Sequence, residues 1–211
     1  MTETKTLSAR DARREAILDA ARDAFLEEGF AATSMSTIAA RVGGSKATLY
    51  TYFKSKEELF DAYVKRHCAW QRDAMYALPA DGEDTEAALK RLGRNYLRTV
   101  MSDYSLRHFR MITAEAERSP EIGQNFYAAG PANGIRLLSE MLTEANERGQ
   151  LKLDDAQAAA HQFLALCQNR MLKARLCAAM GELTEAEVVR EVDNAVRVFM
   201  AAYGARQSST R

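Results

Sequence analysis

Apolar residues recur at intervals of three and four along most of this sequence, which is the spacing of one face of an α-helix. The first such segment covers about residues 10–28 and ends at Gly29. Ile17, Ala21 and Phe25 share one face of it. The chain contains 37 Ala and 20 Leu but only 8 Val and 5 Ile. Because Ala and Leu lose little side-chain freedom in a helix, whereas β-branched residues suit strands, the sequence predicts an all-α fold.

Stop and cap signals divide the chain into ten predicted helices. Ser34 and Ser45 are good N-cap residues. The sequences Ser55-Lys56-Glu57-Glu58 and Thr184-Glu185-Ala186-Glu187 are capping boxes, in which a hydroxyl and a carboxylate bind free backbone amides. The predicted helices cover about 10–28, 35–42, 46–52, 55–77, 85–101, 105–117, a short stretch after Pro120, a segment ending near 148, 154–180 and 185–203. The clearest predicted loop is 78–84, and Gly130-Pro131 predicts a further break.

The charges are balanced overall but uneven along the chain. There are 29 basic and 29 acidic residues, a net charge of zero, which argues against an indiscriminate binder of polyanions. Residues 41–56, however, contain no acidic residue and four cations, Arg41, Lys46, Lys54 and Lys56. Upstream lie Arg10, Arg13 and Arg14. A basic segment on a neutral protein predicts a confined surface for an anionic partner.

Two of the short predicted helices, 35–42 and 46–52, are joined by a three-residue turn that contains glycine. This is the geometry of a helix-turn-helix, whose second helix protrudes enough to enter a DNA major groove about 12 Å wide. Ala47 and Thr48, near the tip of the second helix, are small and leave the approach to base edges open. The same residues also suit an ordinary helical hairpin with a solvated basic face, so these features alone leave both interpretations open.

Neighbouring side chains fit contacts to a DNA backbone. Tyr50 and Tyr52 offer hydroxyls on stiff rings, and Lys54 and Lys56 offer charge for phosphates. The amide end of the fourth predicted helix is also a potential anion site, through its unpaired N–H groups and its dipole.

The string GGSKATLYTYFKSKEELF at 43–60 resembles the signature of the TetR (tetracycline-repressor-like) family of transcriptional regulators. The preceding SMSTIAARV and the FLEEGFAATS that ends the first helix are similar to that family as well, and the resemblance covers about residues 13–62. It implies an N-terminal three-helix DNA-binding domain with a helix-turn-helix. It also implies a larger C-terminal helical domain for ligand binding and dimerisation.

The resemblance implies roles for single residues. Those expected to face base edges are Ser36, Lys46, Ala47, Thr48 and Thr51. Those expected to hold phosphates are Ser34, Tyr50, Tyr52 and Lys56. One departure is Gly44, where the family usually has valine. The missing isopropyl group is expected to remove about 1–2 kcal/mol of apolar burial and to loosen the recognition helix.

The C-terminal part carries a second resemblance. FRMITAEAERSPEIGQNFYAAGP at 109–131 resembles the effector domain of the AefR-like branch. In this family helices 4 to 8 enclose a ligand cavity, and the last two long helices pair with their symmetry mates in a four-helix bundle. The implied domains are 1–54 for DNA binding, 55–204 for effector binding and dimerisation, and 205–211 as a disordered tail. Candidate ligand contacts, each of which is more often an ordinary core residue, are Trp70, Tyr96, His108, Phe109, Phe126 and Cys167.

Together these features predict a homodimeric, sequence-specific DNA-binding regulator. Its expected partners are a near-palindromic operator of double-stranded DNA, a second copy of the chain bound through the last two long helices, and a small hydrophobic effector that releases a repressor from that operator. We expect no cofactor and no metal. No run reaches the roughly 18 apolar residues of a membrane helix, and the N-terminal segment lacks the pattern of a signal peptide, so the expected location is cytoplasmic.

A helical-bundle enzyme and a cysteine-based redox sensor are the alternatives. No histidine has an acidic residue three positions before it, as a di-iron Glu-x-x-His pair requires. The sequence contains no P-loop, no Gly-x-Gly-x-x-Gly and no Gly-x-Ser-x-Gly. Cys68, Cys167 and Cys177 lack the spacing of a zinc site and are expected to be small buried apolar residues in a reducing compartment.

Overall fold

The computed structural model of the protein describes residues 8–76 and 83–205. Over these two ranges the structure contains helices and no strand, which confirms the prediction of an all-α fold. The α-helices are α1 Ala9–Glu28, α2 Met35–Val42, α3 Lys46–Tyr50, α4 Lys56–Met75, α5 Thr85–Val100, α6 Asp103–Ala116, α7 Pro120–Tyr127, α8 Asn133–Glu147, α9 Ala156–Gln168, α10 Leu172–Leu176 and α11 Glu185–Tyr203. A π-helical turn, Ala128–Ala132, joins α7 to α8. The predicted loop at 78–84 and the predicted tail at 205–211 lie largely outside the described residues.

Local capping fixes the helix-turn-helix. The Thr37 amide donates to the Ser34 hydroxyl at 3.1 Å, and the Thr48 amide donates to the Ser45 hydroxyl at 3.0 Å. Each bond satisfies one of the free amides at the start of a helix. Gly43 ends α2 in the left-handed region, with φ at 71°, where a residue with a side chain is strained. The short turn between α2 and α3 therefore depends on glycine at this position.

The two predicted capping boxes differ in detail. At the start of α11 the box is complete, because the Glu187 amide donates to the Thr184 hydroxyl and the Thr184 amide donates to the Glu187 carboxylate. At the start of α4 the Glu58 amide donates to the Ser55 hydroxyl at 3.1 Å. The Glu58 carboxylate, however, accepts from the Lys54 amide at 2.7 Å. It therefore closes the turn one residue earlier than a regular box.

The sequence predicts a ninth helix that reaches Met180, and this is wrong. Helix α9 ends at Gln168 and is followed by the separate short helix α10. The buried guanidinium of Arg175 in α10 donates to the carbonyls of Met101 and Met180, at 2.8 and 3.2 Å, and to the Asp103 carboxylate at 2.7 Å. These bonds hold the chain in a turn after α10. The residues around Arg175 in the sequence do not predict these hydrogen bonds, because two of the partners lie more than 70 residues away.

The break predicted at Gly130-Pro131 is also wrong. The chain continues there as a π-helical turn, with Pro131 inside it. Proline lacks the N–H that a regular α-helical turn requires, and its ring crowds the preceding turn. The wider π turn accommodates it without ending the helix.

The contacts of the chain divide it into two compact units. Among the described residues, unit 1 comprises 8–68 and His108–Phe126, and unit 2 comprises 69–76, 83–107 and 127–205. The first part of α4 therefore packs in the same unit as the helix-turn-helix. The division of function at residue 54 stays a prediction.

An aromatic core holds the helix-turn-helix on α1 and α4 within unit 1. The rings of Phe25 in α1 and Phe60 in α4 meet edge-on with 5.0 Å between their centres. The centres of the Phe30 and Phe60 rings lie 4.7 Å apart. Leu49 of α3 and the following Phe53 are buried. Burying one such side chain contributes about 1.5–3 kcal/mol. Helix α3 is thus anchored by its inner face, although it has only five residues.

Helices α5, α8, α9 and α11 supply the core of unit 2. Phe163 of α9 and Phe199 of α11 meet edge-on with 5.4 Å between their ring centres. A Cβ added at Gly93 of α5 would lie 2.8 Å from a methyl carbon of Val192 in α11. Glycine therefore permits a close approach of these two helices.

The three cysteines do not share one environment. Cys68 and Cys167 are buried as predicted, and burial raises the pKa of their thiols to about 11 and about 12. Cys177 is exposed, so the prediction is wrong there. The reason is the early end of the helix, because Cys177 follows α10 and lies at the start of the turn.

Candidate nucleic-acid interface

Helix α3 presents a tip of small and flexible side chains. Lys46, Ala47 and Thr48 are exposed, whereas Leu49 faces the core. The Ser45 hydroxyl accepts a hydrogen bond from the Thr48 amide and also lies 2.8 Å from the Thr48 hydroxyl. These two contacts fix the first turn of α3. Because the side chains beside the tip are short, the backbone of α3 can approach a partner closely, as entry into a major groove requires.

The hydroxyls that the resemblance assigns to DNA are ordered by local hydrogen bonds. The Ser34 and Thr37 hydroxyls lie 2.9 Å apart, and the Thr51 hydroxyl donates to the Thr48 carbonyl at 2.7 Å. Ser36 is exposed on α2. A hydroxyl that donates its proton to the backbone still has lone pairs. Thr51 can therefore accept a hydrogen bond from a base without giving up its own.

The two tyrosines flank the end of α3. Tyr50 is 43% exposed, and the Lys46 ammonium lies 5.9 Å from the centre of its ring. Tyr52 is half-buried. Tyr50 thus offers the more accessible ring of the pair.

Five cations in this part of the chain have no carboxylate within 4.0 Å among the described residues. They are Arg10, Arg13, Lys46, Lys54 and Lys56. Arg41 behaves differently, because it pairs with Glu27 and Glu28 at 2.8 and 2.7 Å. Hydrogen bonds to these two carboxylates, that to Glu27 first, raise the pKa of its guanidinium. The charge of Arg41, which belongs to the predicted basic segment, is therefore balanced by these two glutamates, whereas the other five cations have no such ion pair.

Lys56 is tied to the protein backbone. Its ammonium donates to the carbonyl oxygens of Phe30 and Ala31, at 2.7 and 3.3 Å, and lies 4.3 Å from the centre of the Phe30 ring. An ammonium has three donors, so one remains for a phosphate. These hydrogen bonds join the start of α4 to the loop after α1. The sequence does not predict them, because the partners lie 26 and 25 residues away.

The sequence pattern suggests that Gly44 leaves a gap in a buried position, but the structure shows no such gap. The residue is exposed, and a Cβ there would lie 2.8 Å from Nη2 of Arg13. The expected loss of apolar burial is therefore wrong. The side chain of Arg13 lies beside the turn. The sequence indicated Arg13 only as a member of an arginine cluster and did not predict this contact.

Three of the candidate ligand contacts lie in unit 1. His108 is buried, and its ring stacks on that of His67 with 4.0 Å between the centres. Burial lowers the pKa of His67 to about 4. Phe109 and Phe126 contact each other at 6.1 Å between their ring centres. His108 is therefore a buried residue of unit 1, whereas Phe109 and Phe126 are half-buried.

The other three candidates lie in unit 2. Tyr96 donates to the Gln168 side-chain carbonyl at 2.7 Å, and burial raises the pKa of its hydroxyl. Cys167 is buried nearby in α9. Trp70 is 52% exposed and meets Tyr104 edge-on at 6.0 Å. Trp70 and Tyr96 thus have different surroundings, one open to solvent and the other enclosed.

Two negative observations hold for residues 8–76 and 83–205. None of the helices there is both long and apolar enough to cross a membrane. No group of three or more His, Cys, Asp or Glu side chains there could hold a metal ion.

The chain is similar to bacterial regulators in sequence and in structure. Residues 17–63 match the family described as bacterial regulatory proteins, tetR family, and residues 87–205 match the AefR-like transcriptional repressor C-terminal domain. The HTH-type transcriptional regulator BetI of Klebsiella pneumoniae (strain 342) is 29% identical over 174 residues, which are 81% of this chain and 86% of that protein. BetI of Escherichia coli (strain K12) is 27% identical over the same length and coverage.

Two solved structures extend the similarity to nearly the whole fold. The flavonoid-responsive regulator FrrA is 34% identical with a TM-score of 0.82, covering 93% of this chain and 100% of that chain. A putative TetR-family transcriptional regulator from Mesorhizobium loti MAFF303099 is 26% identical with a TM-score of 0.85, covering 94% and 100%. Proteins of this kind are DNA-binding regulators and not enzymes. The exposed tip of α3, the cations around it and these similarities lead to one conclusion: the chain belongs to the TetR family of bacterial transcriptional regulators, with a C-terminal domain of the AefR-like repressor type.

Proposed function

We propose that the protein is a homodimeric repressor that binds a near-palindromic operator through α3 and leaves it when a small hydrophobic ligand binds. The observation that carries this proposal is the exposed, small-residue tip of α3, in a surface where five cations have no carboxylate within 4.0 Å among the described residues. A tip of this shape fits a major groove, and the charge fits the phosphates on either side.

The base-reading residues differ in what they can recognise. Ala47 cannot donate or accept a hydrogen bond, so its methyl group suits the methyl group of thymine. Thr48 and Thr51 can accept hydrogen bonds through their hydroxyls, and Lys46 can donate to the acceptor edge of guanine. Ser36 on α2 reaches the same groove from the side. These five side chains form the proposed reading surface.

The phosphate-holding residues surround this surface. Ser34 and Tyr50 offer hydroxyls from α2 and α3, and Tyr52 follows. Lys56 uses its remaining donor at the start of α4, while its other two bonds fix its position. The amide end of α4 contributes less than its dipole suggests, because the Ser55 hydroxyl already accepts a hydrogen bond from the Glu58 amide.

Dimerisation is required because one recognition helix reads too few base pairs for useful specificity. Helices α9 and α11 are the proposed interface. Val198, Ala201 and Ala202 are exposed along α11, and Ala165 is exposed on α9. Small apolar side chains allow helices of two subunits to approach closely, as in a four-helix bundle.

The proposed ligand acts by selecting one conformation of the dimer. It weakens DNA binding only by its differential affinity for the two conformations, typically about 1–3 kcal/mol. Helix α4 is the proposed lever, because it begins at the phosphate contact Lys56. A structural relative 34% identical to this chain is named a flavonoid-responsive regulator, so a flavonoid is the first compound to test.

Footprinting of the purified protein on the DNA upstream of its own gene tests the function. The expected result is protection of a near-palindromic site, which a flavonoid or another hydrophobic compound releases. Light scattering should show a dimer at micromolar concentration. A monomer that still protects the site would contradict the dimer, and the absence of selective binding to any DNA in a random-sequence selection would contradict the regulator.

A further inference from the structure

One of the five cations, Arg13, contacts the turn between α2 and α3. Nη2 of Arg13, on α1, donates to the Gly43 carbonyl at 3.4 Å. A Cβ added at Gly44 would lie 2.8 Å from the same nitrogen. A side chain at Gly44 would therefore require the guanidinium to shift. Glycine at this position admits Arg13 to the turn that directly precedes α3.

Arg13 differs from the next arginine along α1. Arg14 has Glu15 at 3.6 Å and lies 5.2 Å from the centre of the Phe53 ring, so its charge has a partner and its plane has a packing surface. Arg13 has no carboxylate within 4.0 Å among the described residues. A guanidinium has five N–H donors, and within the described chain Arg13 uses one, on Gly43. The remaining donors suit an anion.

We propose that Arg13 is a further DNA-backbone contact, which donates to a phosphate at the edge of the groove that α3 enters. This inference rests on the proposed function, since it needs α3 in the groove. A planar guanidinium matches two oxygens of a phosphate, and its charge is never lost at physiological pH. The glycine at 44 leaves room for this guanidinium beside the turn.

Salt dependence separates a phosphate contact from a simple brace of the turn. Arg13→Gln keeps an N–H donor but removes the charge, whereas Arg13→Lys keeps the charge. Each phosphate contact contributes about 0.9 to the slope of log affinity against log salt concentration, so Arg13→Gln in both subunits should lower the slope by about 1.8. Arg13→Lys should keep the wild-type slope. The matched control is Arg22→Gln, also on α1, whose guanidinium pairs with Asp19 and Asp23; it should leave the slope unchanged.

Arg13→Met tests the same contact with a second side chain. It removes the charge and every N–H donor of the guanidinium, so the slope should fall as it does for Arg13→Gln. For either change, the ratio of wild-type to variant affinity should decrease about 12-fold between 50 mM and 200 mM salt.

The outcomes separate this inference from the proposed function. If the wild-type protein selects no DNA, the regulator proposal fails and the contact fails with it. If the wild-type protein binds its operator and folded Arg13→Gln keeps the full slope, the Arg13 contact is overturned and the regulator proposal stands. If Arg13→Gln does not fold, as judged by circular dichroism, Arg13→Met decides in the same way.

Discussion

Replacement of Lys56 by methionine should have two effects that can be measured separately. The ammonium of Lys56 makes two hydrogen bonds to backbone carbonyls and lies over the Phe30 ring. A net hydrogen bond to a charged group contributes about 1.5–3 kcal/mol when buried, and less for a half-buried lysine. A cation over an aromatic ring adds about 0.5–1 kcal/mol. We therefore expect Lys56→Met to lower the free energy of unfolding by about 1–2 kcal/mol.

The second effect of Lys56→Met is a weaker salt dependence of operator binding, because each phosphate that a lysine neutralises contributes about 0.9 to the slope. Lys54→Met is the matched control for the stability effect. The Lys54 ammonium has no carboxylate within 4.0 Å among the described residues and does not share the hydrogen bonds that Lys56 makes to backbone carbonyls. It should change the free energy of unfolding by less than about 0.5 kcal/mol. Urea titration followed by circular dichroism measures the first effect, and fluorescence anisotropy on labelled operator at several salt concentrations measures the second.

Equal unfolding midpoints for Lys56→Met, Lys54→Met and the wild-type protein would refute the claim that the contacts of Lys56 with the loop after α1 stabilise the protein. Reduced stability with an unchanged salt slope would refute the phosphate contact and leave Lys56 a structural residue only. Both effects together are expected.

Three further outcomes follow from the structure. Gly93→Ala should destabilise the protein by about 1–3 kcal/mol, because the new Cβ lies 2.8 Å from Val192; an unchanged melting temperature would contradict the close approach. Thr48→Val should alter the base preference found by selection from random DNA, and an unchanged profile would remove Thr48 from the reading surface. Burial lowers the pKa of His67 from 6.5 to about 4, so the unfolded chain binds the proton more readily and stability should be full above pH 6.5 and fall towards pH 4. His67→Gln should remove about 2–3 kcal/mol of the difference in unfolding free energy between pH 7 and pH 4.5, and urea titration at the two values checks this.

Features that depend on neighbours within four residues could be predicted from the sequence. The caps at Ser34, Ser45 and Thr184 are of this kind, since each hydroxyl accepts an amide three residues ahead. The spacing of apolar residues likewise predicted the all-α fold. The family resemblance, and not these patterns, assigned the residues for base edges and phosphates, and those assignments stay predictions.

Features that depend on distant partners could not be predicted. Arg175 holds the turn after α10 through bonds to residues more than 70 positions away. The charge of Arg41 is balanced by acidic residues of α1, although its own segment has none. Lys56 and Arg13 bind carbonyls 26 and 30 residues away. In each case a long cationic side chain reaches across the fold, so its position along the sequence does not indicate its partner.

The unequal cysteines make the protein suited to labelling at one place. Maleimide reagents need an accessible thiolate, and among the three thiols only that of Cys177 is exposed, while burial raises the pKa of the thiols of Cys68 and Cys167. A nitroxide attached to the natural chain would thus modify Cys177 alone. In a dimer, the two nitroxides would report the distance between subunits, and comparison with and without an added flavonoid would follow the proposed rearrangement without engineered mutations.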